Sequence, residues 1–187
     1  MRRVIEKGAA ALCLLLLAGI AGCGSGRWGY ARTYEAWGDE NAYLEREVEL
    51  SYEDVRRFPD RYADDLIGWF GTVTEIEQLD RSTGQARISL QLRAHQDRHL
   101  CSDETSGSCR VTVSDRPVGP FTALVTLRAE DLTDGRERLW TGSLMKVYGH
   151  VQDGGTEESG PVLQVEWYRH WPHGYFVTTG AAGSMRR

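Results

Sequence analysis

From residue 66 onward, apolar and polar side chains alternate with a period of two. In "LIGWFGTVTEI", Ile67, Trp69, Gly71 and Val73 share one parity. In "ARISLQL", Ile88, Leu90 and Leu92 face one way and Arg87, Ser89 and Gln91 the other. "CRVTV" alternates Cys109, Val111 and Val113, and "FTALVTL" alternates Phe121, Ala123, Val125 and Leu127. "LMKVYGHV" groups Met145, Val147 and Val151, and "PVLQVEWY" groups Leu163, Val165 and Trp167. Successive side chains of a strand point to opposite faces, so each run predicts a strand with one buried face. Turn-forming residues separate the runs, as at residues 80–84. No long amphipathic helix lies between them, which sets aside a parallel α/β sheet and predicts an all-β sandwich or barrel.

Upstream the texture changes. Ser51 is followed three residues later by Asp54, a variant of the helix capping box. Pro59 disfavours helix at Phe58, so a short N-terminal helix is expected to stop there. Residues 24–46 read as a tether, Gly/Ser-rich at first, with an r.m.s. span of roughly 25 Å as free coil. Its aromatics Tyr30, Tyr34 and Trp37 fall at helical spacing, which predicts a short helix docked on the domain or a partner-binding patch.

A short helix with "FPDRYADDLIGWFGTV" leads into a glycine-bearing strand, and "LWTGSLMKVYGHV" is followed by a turn and "GPVLQVEWY". This order resembles the OB fold across residues 51–171. The glycines suit the sharp coiling of barrel corners. The resemblance implies a small OB-like antiparallel barrel, all-β apart from the short helix. The cysteine-bearing insertion and the extra "FTALVTL" run depart from the simplest five-strand plan.

The first 23 residues read "MRRVIEKGAAALCLLLLAGIAGC". Arg2, Arg3 and Lys7 precede a short apolar stretch, too short for a bilayer span of about 20 residues. Ile20, Ala21, Gly22 and Cys23 resemble the lipobox of bacterial lipoproteins. The resemblance implies cleavage after residue 22, acylation of Cys23 and membrane attachment through lipid. Gly24, in place of an aspartate, implies the outer membrane, facing the periplasm. The expected organisation is a signal peptide (1–22), a lipidated N-terminus and tether (23–46) and one domain (47–187).

The 165 residues from Cys23 onward carry 19 basic and 26 acidic side chains, a net charge of −7. That balance argues against nucleic acid as a partner, since such binding needs a basic footprint. In an exported chain, Cys101 and Cys109 are expected to close a disulfide across the polar loop "SDETSGS". The chain-entropy model assigns such a closure about 2.5 kcal/mol. His95 and His99 lie just upstream, as loop residues after a strand that ends near residue 94, but the spacing matches no standard zinc signature, so no metal and no cofactor is expected.

Motifs for nucleophilic or phosphate chemistry are absent from the sequence, apart from "SLMK" at Ser143 and Lys146. The S-x-x-K pair needs a helix to bring its ends together, and here it falls in a predicted strand. The remaining concentration is "EWYRHWPHGYF", where Tyr168, Arg169, His170, Trp171 and His173 combine aromatic area with donors. These residues form the expected binding face, beside the alternative that Trp167 and Trp171 serve the core. The expected function is a non-enzymatic, lipid-anchored binding or scaffolding module for an envelope protein, peptide or glycan. The alternatives are a metal-assisted hydrolase using His95, His99, His170 and His173, or a purely structural envelope lipoprotein. With Cys23 acylated, thiol titration of the mature chain should find no free thiol before reduction and two after it. Two thiols before reduction would count against the disulfide.

Overall fold

The computed structural model describes residues 30–101, 110–172 and 174–183. In chain order the elements are β1 (Tyr30–Thr33), α1 (Glu40–Leu44), α2 (Tyr52–Arg57), β2 (Ile67–Leu79), β3 (Gln85–His95) and β4 (Arg98–Cys101). There follow β5 (Val111–Thr126), α3 (Ala129–Leu132), β6 (Leu144–Asp153), β7 (Val162–Trp171) and β8 (Phe176–Thr178). Ser51 caps α2 as its spacing predicts, its hydroxyl accepting from the Asp54 N–H at 3.1 Å. The helix gives way at Phe58 to a 3-10 turn, Pro59–Tyr62. No helix among the described residues is long and apolar enough to cross a membrane.

Strands pair in the order β3-β2-β6-β7-β5, and β5 returns to β3, closing a five-strand barrel. Four joints are antiparallel, but β5 and β7 run parallel, which corrects the expectation of an antiparallel barrel throughout. A ring with an odd number of strands cannot alternate direction all the way round. The odd joint is also the shortest: it holds three residue pairs, from Thr122↔Val162 to Leu124↔Gln164.

The predicted apolar faces fill the barrel. Ile67, Ile88, Ala123, Met145, Val147 and Leu163 are fully buried, and Trp69 packs edge-on to Phe121 with ring centroids 5.4 Å apart. Burying each large side chain contributes about 1.5–3 kcal/mol. Tyr52 and Val55 of α2 join this core, Tyr52 donating to the Pro120 carbonyl at 2.9 Å. Leu127 before α3 and Leu139 after it join this core, with Leu132 at the end of α3 packed against it.

Two strand assignments change. "CRVTV" and "FTALVTL" predicted separate strands, yet β5 is one strand of 16 residues. Its middle holds Pro117 and Pro120, at register shifts opposite Arg93 and Gln91 of β3. The bulges absorb the missing N–H donors and turn the strand. Val111 and Val113 therefore join a second cluster with Phe70, Leu144 and Trp171, while Phe121, Ala123 and Val125 line the barrel. In β7 a bulge lies between Val165, opposite Gly149, and Trp167, opposite Tyr148. The extra residue, Glu166, flips the parity. Tyr168 continues the core face instead of Trp167, which moves outside against Tyr43 and Tyr148.

The segment before β2 is a strap across the outside of β2, β6 and β7. It does not form the helix that the spacing of Tyr30, Tyr34 and Trp37 predicts. Residues 30–33 pair with β4 instead, and the helix begins at Glu40. Cys101 ends β4, and Cys109 lies outside the described residues, as do residues 1–29, on which the expected signal peptide and the Cys23 lipidation site fall. The expected Cys101–Cys109 disulfide therefore falls outside the described residues.

Glycines admit the close approaches. A Cβ on Gly71 would stand 2.5 Å from the Phe121 ring in the core, and one on Gly149 would stand 2.3 Å from the Gln164 carbonyl oxygen. The second contact is with backbone at the β7 bulge, which cannot move aside cheaply. Gly149→Ala should cost about 1–3 kcal/mol. The check is urea unfolding, with the midpoint lowered at unchanged slope.

Candidate functional site

The strap is held by a fully buried carboxylate, Glu40. One of its oxygens accepts from the hydroxyls of Tyr34 and Tyr148, the latter at 3.1 Å. The other accepts from the Trp37 N–H at 3.0 Å and from Arg169 at 3.4 Å. Burial, reinforced by Glu40, pushes the Tyr34 and Tyr148 hydroxyls far above the usual tyrosine range, so both stay protonated and donate. Arg169 lies between the rings of Trp37 and Trp171, its guanidinium carbon 5.8 and 4.6 Å from their centroids.

A second charge pair lies beneath the same strap. Lys146 is buried among the rings of Tyr34, Phe70 and Tyr148, with its ammonium 3.4 Å from Glu47. Burial lowers the lysine pKa and raises that of Glu47, and each partner's charge opposes the shift. Gly68 leaves the room for Glu47, since a Cβ there would overlap its carboxylate. Ser143 is fully buried, and its hydroxyl accepts from the Trp140 N–H at 3.0 Å, while Lys146 is committed to Glu47. The S-x-x-K match therefore forms no catalytic pair.

His95 and His99 are strand residues on either side of a two-residue turn, where sequence placed them in a loop. His95 stacks on Phe70 at 4.5 Å between centroids, and both histidine rings meet Tyr34 edge-on. His99 Nδ1 accepts from the Thr112 N–H at 3.2 Å. Among the described residues no three His, Cys, Asp or Glu side chains converge as a metal site.

The predicted binding face is divided between two sides of β7. Tyr168 and His170 point toward α3, and Arg169 and Trp171 toward the strap. His170 Nε2 lies 2.7 Å from Asp131, whose other oxygen accepts from the Tyr168 hydroxyl and from the Arg128 N–H at 3.3 Å. Arg128 also donates to the Tyr168 carbonyl at 2.6 Å and lies over that ring. Burial alone would raise the Asp131 carboxyl, but the His170 and Tyr168 hydrogen bonds hold it below the usual carboxylate range. Among the described residues no hydroxyl or thiol nucleophile is hydrogen-bonded to His170. The arrangement anchors α3 to the barrel and positions Arg128. Tyr168, His170 and Trp171 are buried, so the face is mostly interior; His173 lies outside the described residues.

One cleft open to solvent, of about 550 Å³, lies where β5 and β7 part beyond their third residue pair. Trp37 and Asp39 of the strap form one wall, Thr126 and Arg128 another, and Glu166, Trp167 and Tyr168 the third. Trp37 is 65% exposed. The bulge at Glu166 turns Trp167 into this space, and the Glu40 network fixes the strap beside it. Sequence marked Tyr168 and the Trp37 aromatics, but missed Glu40, Arg128 and Asp131. These are two isolated acids in short helices and the arginine just before α3, with no spacing signal to mark them.

No protein-family model matches the chain, and no curated protein matches it.

The histidines under the strap predict a pH response. Burial, helped by the charges of His99 and Lys146 and opposed by Asp97 and Glu40, holds His95 down at about 4. The ordinary value in the unfolded chain is about 6.5. Between these values the unfolded state binds more protons, so stability should fall as pH drops through that window. His99 is lowered in the same direction, also mainly by burial. Urea unfolding at pH 7, 5.5 and 4.5 should show the decline, and His95→Phe, which can keep the stack on Phe70, should flatten it.

Proposed function

We propose that this chain is a lipid-anchored cell-envelope protein whose barrel is a non-enzymatic binding or scaffolding module facing the periplasm. Its strand order, with a parallel closing joint and a short helix between β5 and β6, supports reading the closed five-strand barrel as OB-like. The observation that carries the binding reading is the cleft at the β5/β7 seam. Its walls are set before any ligand arrives, by the Glu40 network on one side and the Asp131 network on the other. Preorganised walls spare a ligand the entropy of ordering them. The exposed indole of Trp37 offers a rigid contact surface. A purely structural role would draw on the same anchor but leaves the open cleft without a use.

The anchor is supported by the "IAGC" sequence at Cys23. Two or three acyl chains hold a protein at a bilayer where one does not, because each buried methylene contributes about 0.8 kcal/mol. Metabolic labelling with an alkyne palmitate analogue should tag the full-length chain, and membrane fractionation should place it with the outer membrane. Cys23→Ala should abolish the label. A Cys23→Ala protein that still labels would overturn the assigned anchor.

A further inference from the structure

The cleft at Trp37 does not end at the seam. A second depression of about 380 Å³ lies on the other side of the β5 terminus, lined by Gln78, Asp80, Gln85, Arg87, Leu124 and Gln164. The two share Val125 and Thr126. They adjoin at these two residues, and we take them together as one groove between the strap and the β2–β3 hairpin. Each part lies within the range of small-ligand sites, about 300–1,000 Å³.

Resting on the binding reading above, we propose that this groove takes an extended, uncharged glycan strand. One end presents the exposed indole of Trp37, suited to the C–H face of a sugar ring. The other end presents the amides of Gln78 and Gln85, which both donate and accept and so match hydroxyl groups, and the amide oxygen of Gln164, whose nitrogen donates to the Leu124 carbonyl at 3.4 Å.

Charge opposes an anionic ligand. Asp39 and Asp80 line the groove beside Glu166, which lies 3.5 Å from Arg46 and 3.2 Å from His150, and its two arginines are engaged. Arg87 lies 3.3 Å from Glu77, and Arg128 is bound to the Tyr168 carbonyl and ring. The backbone opposes a peptide. An extended peptide binds by adding to a strand edge. The edges left where the seam opens run over Val125 and Thr126 on β5 and residues 165–167 on β7, and the second is broken by the bulge. Such short, irregular edges give a peptide backbone little to pair with.

Calorimetric titration of the acylated full chain, in a detergent without sugar headgroups, tests this. The probes are cellotetraose, chitotetraose and maltotetraose, their disaccharides, a heparin tetrasaccharide and a library of decapeptides. At least one neutral tetrasaccharide should bind, about tenfold tighter than its disaccharide because it reaches both depressions. Trp37→Ala should weaken binding about tenfold and Gln85→Ala several-fold. Both side chains are exposed, so the wild-type melting temperature should be retained. Failure of every neutral oligosaccharide to bind would overturn the proposal, as would preference for the heparin fragment. Peptide binding that Trp37→Ala abolishes would overturn the ligand class but leave the cleft as the binding site. Binding of any probe that neither variant changes would overturn both.

Discussion

The strap, the cleft and the outer face of the barrel all depend on where the Glu40 carboxylate sits. A buried ion is costly unless it is paired and hydrogen-bonded. Glu40 meets that condition with four donors drawn from three parts of the chain: Tyr34 and the Trp37 backbone, Tyr148 on β6, and Arg169 on β7. No subset of these elements satisfies it alone. The carboxylate therefore selects one position of the strap over any sliding alternative that apolar contacts with Phe70 and Trp171 would tolerate. Arg169 and Lys146 reach the same layer from the barrel side, so two cations and two acids are balanced beneath the strap.

Closure sets the second constraint. Five strands can form a ring only with at least one parallel joint, and here the single such joint lasts for three residue pairs. Beyond it, β5 turns toward α3 and β7 bulges at Glu166, so the seam opens into the cleft. The opening does not loosen the barrel, because α3 is tied across it. Asp131 holds His170 and Tyr168, and Arg128 lies over the Tyr168 ring. The site thus follows from topology, and the polar networks on its two sides keep it in one shape.

The strands themselves were legible as alternation, because each barrel strand has one face in a dry core. The faces of β2, β3 and β6 follow the sequence parity with little change. Parity failed at the bulge in β7 and across the prolines of β5. An extra residue there reverses which side chains point inward, and nothing in a local window marks it. Trp167 was grouped with Leu163 and Val165 for this reason, and Tyr168 was read as surface. The strap failed differently: Tyr34 and Trp37 have helical spacing, yet their positions are set by contacts with β6 and β7, far along the chain.

What the sequence determined by itself was local. It determined the strands by their period, the α2 cap and stop by Ser51 and Pro59, and the acidic balance. Tertiary structure decided which joint is parallel, where the seam opens, and which of the residues from Tyr168 to Trp171 face inward. It also decided that an unremarkable Glu40 becomes the anchor of the strap. Those outcomes depend on partners far apart in the chain, from Thr122 opposite Val162 at the parallel joint to Glu40, more than 100 residues from Tyr148 and Arg169, and only chain closure brings them together.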